Sequence, residues 1–114
     1  MKLQVLVSTM HQTDHSLLEK MNIQSDAIVI NQCGHNCIER FTFREHDILW
    51  MSMNERGVGL SRNNALMRAS GDILLFADDD VVYTDDYVEK IVMSFENHPK
   101  ADLIVFNLKS QNPD

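Results

Sequence analysis

Three consecutive carboxylates, Asp78-Asp79-Asp80, stand directly after the apolar run Ile73-Leu74-Leu75-Phe76-Ala77. Adjacent carboxylates repel one another, and burying any of them without a partner is costly. A divalent cation relieves that repulsion. Mg²⁺ or Mn²⁺ is commonly held by one or two carboxylates together with phosphate oxygens of a substrate. At a strand end alternate residues point to the same side, so Asp78 and Asp80 are expected to converge on such an ion while Asp79 faces away. The competing reading of the triplet taken alone is a solvated acidic turn.

Other residues that could do chemistry are more scattered. Cys33-Gly34-His35-Asn36-Cys37 puts two thiols and an imidazole within five residues. A structural zinc site takes four ligands and no second cluster accompanies this one, so the segment is read as an ordinary loop. His11 and His15 lie four apart near an expected helix start and have no third partner, which reads as surface. The methionines, among them Met51, Met53, Met67 and Met93, are expected to fill gaps in the core or to line an interface. Trp50, inside an apolar run, is expected in the core.

The elements that must position the triplet follow from apolar runs and turn signals. Leu3 to Val7 reads as a strand closed by Ser8-Thr9. A helix is expected from a cap at Thr13 or Asp14 to about Met21, with Leu17, Leu18 and Met21 on one face. Ala27 to Ile30 is a second strand. Asn31 to Asp47 is polar without helical period, but Phe41 and Phe43 alternate with polar residues and suggest a small β excursion. Ile48 to Met51 is the next strand. Gly57 and Gly59 then loosen the backbone before a helix over Arg62 to Ala69, capped by Ser61 and closed by Gly71. Ile73 to Ala77 leads into the triplet. Thr84 or Asp85 caps a helix from about Asp86 to Phe95 that turns Tyr87, Val88, Ile91, Val92 and Phe95 inward. Pro99 stops it, and Leu103 to Phe106 is a further strand. Uniformly apolar strands separated by helices imply an α/β fold with a mostly parallel sheet flanked by helices.

The chain of 114 residues carries a formal net charge of −7, with hydrophobic residues at 44%. That length suits one domain over residues 1–114 with a core of its own. The acidic balance excludes the basic footprint of a nucleic-acid binder. No apolar run reaches the ~20 residues of a membrane span, and no secretory signal opens the chain. Two cysteines make no disulfide framework, so a reducing, cytoplasmic location is expected. Asn112-Pro113-Asp114 follows the last expected strand so closely that the end reads as a truncation. Apolar edges left by such a truncation would favour self-association.

The segment from Gly57 through Asp80, Gly-Val-Gly-Leu-Ser-Arg-Asn-Asn-Ala-Leu-Met-Arg-Ala-Ser-Gly-Asp-Ile-Leu-Leu-Phe-Ala-Asp-Asp-Asp, resembles the signature of family-two glycosyltransferases. In that family a glycine-containing loop leads into Arg-Asn, a small residue, Ala-x-Gly, a hydrophobic strand and Asp-x-Asp. The spacing is kept from Arg62 to Asp80. The resemblance implies the GT-A (Rossmann-like) fold, in its nucleotide-binding half. It also implies transfer of a sugar from a nucleoside-diphosphate sugar, with Mn²⁺ or Mg²⁺ as cofactor and inversion at the anomeric carbon. Carried over by residue, Asp78 would bond the ribose, Asp80 with Asp78 would hold the metal, and Asp79 would lie at the nucleotide. Arg62, at the start of its helix, would lie beside the nucleotide, where a guanidinium near a helix N-terminus suits an anionic ligand.

Ser8 and Thr9 match the place where the family contacts the nucleobase, although a Pro/Thr-x-Asn pattern is usual there and this chain reads Ser8-Thr9-Met10-His11. Asn31 replaces the usual Asp at the end of the second strand. Its amide oxygen can accept from uracil or from other bases, so UDP is the default donor nucleotide. The carboxylate that would deprotonate the acceptor is expected beyond residue 114, which leaves this chain a donor binder. Two alternatives are a non-catalytic metal–nucleotide module and a haloacid-dehalogenase-type phosphatase using Asp78 and Asp80. The latter motif normally follows the first strand of its domain, whereas this triplet comes later.

Overall fold

The computed structural model describes residues 2–54 and 58–97. Their elements run β1 (Leu3–Met10), α1 (Leu17–Lys20), β2 (Asp26–Gln32), β3 (Cys37–Phe43), β4 (His46–Met53), α2 (Val58–Arg68), β5 (Ile73–Asp78) and α3 (Tyr87–Asn97). The strands form one five-stranded sheet in the order β3-β4-β2-β1-β5. β1 pairs in parallel with β2 and with β5, and β2 in parallel with β4, while β3 is the antiparallel edge. The mostly parallel, helix-flanked sheet implied by the apolar strands is therefore present, in a GT-A-like arrangement.

Each inner strand buries both faces. Leu3, Val5 and Val7 of β1 join Val29, Trp50, Leu75 and Ala77 on one face, covered by Leu17 and Leu18 of α1 and by Tyr87, Ile91 and Phe95 of α3. Leu6, Ile28, Ile30, Leu49 and Met51 form the other face and receive Ala65 of α2. A sheet clad on both sides explains why these strands read as continuous apolar runs. Trp50, only 2% exposed, is core as expected.

Several boundaries differ from the sequence reading for physical reasons. β1 continues through Ser8 and Thr9 to Met10 because its ladder with β2 persists to the pair Met10↔Gln32. α1 begins at Leu17, with Ser16 in the cap position and without a side-chain cap. Asp14 instead accepts the Ser16 N–H at 2.9 Å, a local turn ahead of the helix. The end of α1 carries the stronger signal: Asn22 takes a positive φ of 57°. Ile23 N–H returns to Leu18 O at 3.0 Å and Asn22 N–H to Glu19 O at 3.0 Å, which is the Schellman closure.

The suspected β excursion is a full hairpin, β3 against β4, closed between Phe43 and His46. Its loop residues Arg44 and Glu45 have φ of 49° and 69°. Two consecutive left-handed residues match the twist of the strands, but Asn-Gly is the usual choice there. The Arg44 guanidinium reaches Asn22 Oδ1 at 2.8 Å and lies over the Phe43 ring, contacts that offset the strain.

α2 covers Val58–Arg68, so Ser61 is inside the helix and not its cap. Ser61 is 1% exposed and points into the sheet. Gly71 does not close the helix either. It passes against β1, where an added Cβ would lie 2.8 Å from Gln4 Cβ. The Gln4 Oε1 accepts the N–H groups of Ser70 and Gly71 at 2.9 and 3.1 Å, tying the α2–β5 connection to β1. α3 runs Tyr87–Asn97, close to the expected span, with Thr84 O accepting the Tyr87 N–H. Met51 is buried and fills the core, whereas Met67 and Met93 are 85% and 59% exposed and do not. Gly57 and the expected strand at 103–106 lie outside the described residues.

Candidate functional site

In an open parallel sheet ligands approach the carboxyl ends of the strands. Four strand ends meet there: Ser8 to Met10 of β1, Asn31 and Gln32 of β2, Ser52 of β4 and Asp78 of β5. Ser8 lies directly across from Asp78 in the ladder, and Thr9 across from Asn31, which in turn lies across from Ser52.

Strand alternation sorts these residues onto two sides. Ser8 follows Leu6 toward α2, where its Oγ accepts from Ser61 Oγ at 2.9 Å. Asp78 follows Phe76 on the same side of β5, and the Arg62 guanidinium stands 5.7 Å from the Phe76 ring centre. Ser8, Ser61, Arg62 and Asp78 thus share the α2 side of the strand ends. Arg62 lies about a turn into the helix and is exposed, so its charge, not a helix terminus, is what it brings there. Ser61 is a residue that sequence reasoning misplaced, since a cap and an inward hydroxyl use the same residue type.

The opposite side holds a continuous hydrogen-bonded chain. Asn31, 1% exposed, accepts the Gln12 N–H through Oδ1 at 3.0 Å and donates from Nδ2 to the Gln12 carbonyl at 3.0 Å. Its amide also lies 3.4 Å from Ser52 Oγ. The Gln12 side chain donates from Nε2 to Thr9 Oγ1 at 3.0 Å, and that hydroxyl donates to Asp79 Oδ2 at 2.8 Å. Gln12 was not legible as a site residue, because only the folded β1–α1 loop brings it back over β2.

The triplet leaves β5 through a tight turn in which Val81 N–H returns to Asp78 O at 3.3 Å. Val81 is buried and anchors the turn, while all three carboxylates remain exposed. Asp79 turns to Thr9, on the far side of the sheet from Ser8 and Asp78. Among the described residues no group of three or more His, Cys, Asp or Glu side chains is placed to hold a metal ion. Exposed Asp78 and Asp80 nonetheless suit a cation that arrives with a diphosphate, since Mg²⁺-type ions need only one or two carboxylates beside phosphate oxygens.

A cleft of about 640 Å³ opens beside this chain of bonds, lined among others by His11, Gln12, His15, His35, Glu39 and Trp50. His15 is not a free surface residue. Its ring stacks on Phe41 at 4.4 Å and meets Trp50 at 4.7 Å, and Nε2 lies 3.2 Å from a Glu39 carboxylate oxygen. Cys33 is buried with its thiol 3.5 Å from the His35 carbonyl, and Cys37 is exposed; both are free thiols. A second cleft, of about 450 Å³, lies at the opposite ends of the strands, around Lys2, Gln4, Asp26 and Asp47.

Residues 8–113 match the family described as glycosyl transferase family 2. The chain is similar to an uncharacterized glycosyltransferase, YfnE, of Bacillus subtilis (strain 168), with 42% identity over 53 residues that make up 46% of this chain and 13% of that protein. It is also similar to the glycosyltransferase GlyA of Streptococcus pneumoniae serotype 4, with 33% identity over 79 residues, 69% of this chain and 11% of that protein. The matched stretches are thus a small part of both relatives. No solved structure matches the chain.

Proposed function

The chain belongs to glycosyl transferase family 2, and from that membership we propose that it forms the donor-binding side of a metal-dependent transferase. The reaction is transfer of a sugar from a nucleoside-diphosphate sugar, with UDP as the first candidate, to an acceptor hydroxyl with inversion. The observation that carries this reading is the placement of Ser8 and Asp78 side by side at the carboxyl ends of β1 and β5, with Ser61 and Arg62 closing the α2 side.

On this reading the Asp78 carboxylate accepts hydrogen bonds from the ribose hydroxyls. Asp80, with Asp78, would hold Mn²⁺ or Mg²⁺. The ion, when bound, acts as a Lewis acid on the departing diphosphate. Arg62 adds a fixed positive charge beside the same phosphates, where charge-assisted bonds are about twice as strong as neutral ones. Ser8 and Thr9 frame the base end, and Asn31 shapes it by holding the Gln12 backbone at both its N–H and its carbonyl. Transfer also needs a carboxylate base for the acceptor proton, and none of the described residues is assigned that role.

A phosphatase that uses Asp78 as nucleophile is disfavoured by topology, because the triplet follows β5 and not the first strand. Calorimetric titration with UDP, GDP and CDP, each with and without Mn²⁺, tests the proposal. The expected result is metal-dependent binding of one nucleotide that Asp80→Ala abolishes. Binding that ignores Mn²⁺, or survives Asp80→Ala unchanged, would overturn it.

A further inference from the structure

We propose that Asp79 is a positioning residue, which fixes the Asp78–Val81 turn to the end of β1 through Thr9 and leaves Asp78 and Asp80 to meet the ligand. The inference deepens the donor-site reading and rests on it for the ligand, though not for the contact itself.

Three adjacent carboxylates in one tight turn repel one another when they face the same way. The fold lowers that repulsion by sending the middle group to the other side of the sheet. Ser8 and Asp78 face α2, whereas Thr9 is the next residue of β1 and faces the opposite way. The Thr9 hydroxyl, 4% exposed, donates to Asp79 Oδ2 at 2.8 Å, a short charge-assisted bond. Thr9 Oγ1 also accepts from Gln12 Nε2 at 3.0 Å, and the Gln12 backbone is gripped by Asn31 at both polar atoms.

Asn31, Gln12, Thr9 and Asp79 therefore form one relay from the end of β2, across β1, to the turn after β5. It connects the loop expected at the base with the turn expected at the metal. Hydrogen-bonded groups in such a chain polarise and orient one another. Asp79 accepts the hydroxyl whether or not it is charged, because either a carboxylate or an amide oxygen can take that hydrogen bond. A ligand to a cation could not be replaced by an amide so freely.

The test compares the wild-type chain with Asp79→Ala, Asp79→Asn, Thr9→Val and the double variant Thr9→Val/Asp79→Ala. Two readouts are taken: hydrogen exchange of the Gln12 and Val81 amides without ligand, and the Kd for the nucleotide with Mn²⁺. In Asp79→Ala and Thr9→Val the two amides should exchange about tenfold faster, and the Kd should rise by about tenfold, as expected for loss of one charge-assisted bond. The double variant should be no weaker than either single one. Asp79→Asn, which keeps an acceptor for Thr9, should recover both readouts to within about threefold.

Asp79→Asn binding as poorly as Asp79→Ala, with Thr9→Val unaffected, would show that the charge acts on the ligand and would overturn the proposal. So would wild-type exchange rates in Asp79→Ala. If the wild-type chain binds no nucleotide, the donor-site reading fails by itself, and the exchange rates still decide whether Asp79 holds the turn.

Discussion

Replacing Asn31 by Asp is nearly isosteric and tests how the strand ends are built. The side chain is 1% exposed and uses both halves of its amide on Gln12, Oδ1 for the N–H and Nδ2 for the carbonyl, each at 3.0 Å. A carboxylate keeps the first bond and turns the second into two oxygens facing each other at that distance. The lost bond and the stranded carbonyl cost about 1–3 kcal/mol, and desolvation of the new charge adds to this. A total loss of about 3 kcal/mol at neutral pH corresponds to a fall in Tm of ~12 °C, taking ~4 °C per kcal/mol for a chain of this size.

Burial raises the pKa of the introduced carboxyl above its unfolded value of ~3.9. Once protonated it again donates to the Gln12 carbonyl. A group with a raised folded pKa contributes stability that is fully present below the unfolded pKa and lost as pH rises through the folded one. The deficit of Asn31→Asp against wild type should therefore be small near pH ~4 and complete by pH ~7. Urea unfolding at both pH values measures it. A deficit below about 0.5 kcal/mol at neutral pH, or one equal at both, would refute the bonding scheme, since a lost hydrogen bond in a buried site is worth more than that.

Tyr87→Phe should destabilise by about 2 kcal/mol, because the phenol oxygen accepts the Gln24 N–H at 2.8 Å and lies 2.7 Å from the buried Ser25 Oγ; urea denaturation checks this, and a neutral result would contradict it. Burial holds the Tyr87 phenol above its ordinary pKa of 10.0 and pushes Tyr83 up as well. That preference for the neutral forms stabilises the fold fully below pH 10.0 and is lost as pH rises through the folded values. Tyrosinate absorbance should consequently lag behind that of free tyrosine and rise together with unfolding. Gly71→Ala should cost about 1–3 kcal/mol, as the new methyl would meet Gln4 Cβ at 2.8 Å; thermal unfolding no lower than wild type would show that the α2–β5 connection has room to move away from β1. Arg62→Ala should weaken metal–nucleotide binding by about tenfold or more while leaving the urea midpoint within error, since the side chain is exposed and lost charge-assisted bonds to phosphate are worth at least that factor.

The parallel sheet was legible because its strands are buried on both faces, and continuous apolar runs such as Ala27–Ile30 and Ile73–Ala77 cannot be amphipathic surface elements. The end of β5 was legible for the same reason, as the run stops abruptly at the carboxylates. Hairpin β3–β4 was only half visible. Its alternation of Phe41 and Phe43 with polar residues was a strand signal, but a turn of Arg44 and Glu45 lacks the glycine or asparagine that marks one, and its stabilising partner Asn22 is distant in sequence. Gly71 and Ser61 carried helix-boundary signals while their actual constraints are tertiary: a close approach to Gln4 and a hydroxyl contact with Ser8. Local propensity is a weak prior where such contacts compete.

At the site, Asp78, Ser8 and Thr9 could be assigned to the strand ends from the chain alone. That Asp79 faces away from Asp78 is expected from the chain, but Asp79 lies in the turn past β5, and only the neighbouring Thr9 on β1 shows where its carboxylate goes. Gln12 escaped notice because glutamine in a loop has no distinctive pattern, and its importance lies in the Asn31 amide that grips its backbone. His15 looked like a surface residue for a comparable reason, since Phe41, Trp50 and Glu39 reach it from the other end of the sheet order.

A crystal structure of the chain with UDP and Mn²⁺, with anomalous scattering recorded from the metal, would locate the donor site itself. A manganese peak is expected between Asp80 and the diphosphate, at the carboxyl ends of β1 and β5, with the ribose against Asp78 and the diphosphate on the Arg62 side. A nucleotide seated instead in the cleft around Lys2, Gln4 and Asp26, or a metal with no contact to Asp78 or Asp80, would contradict it.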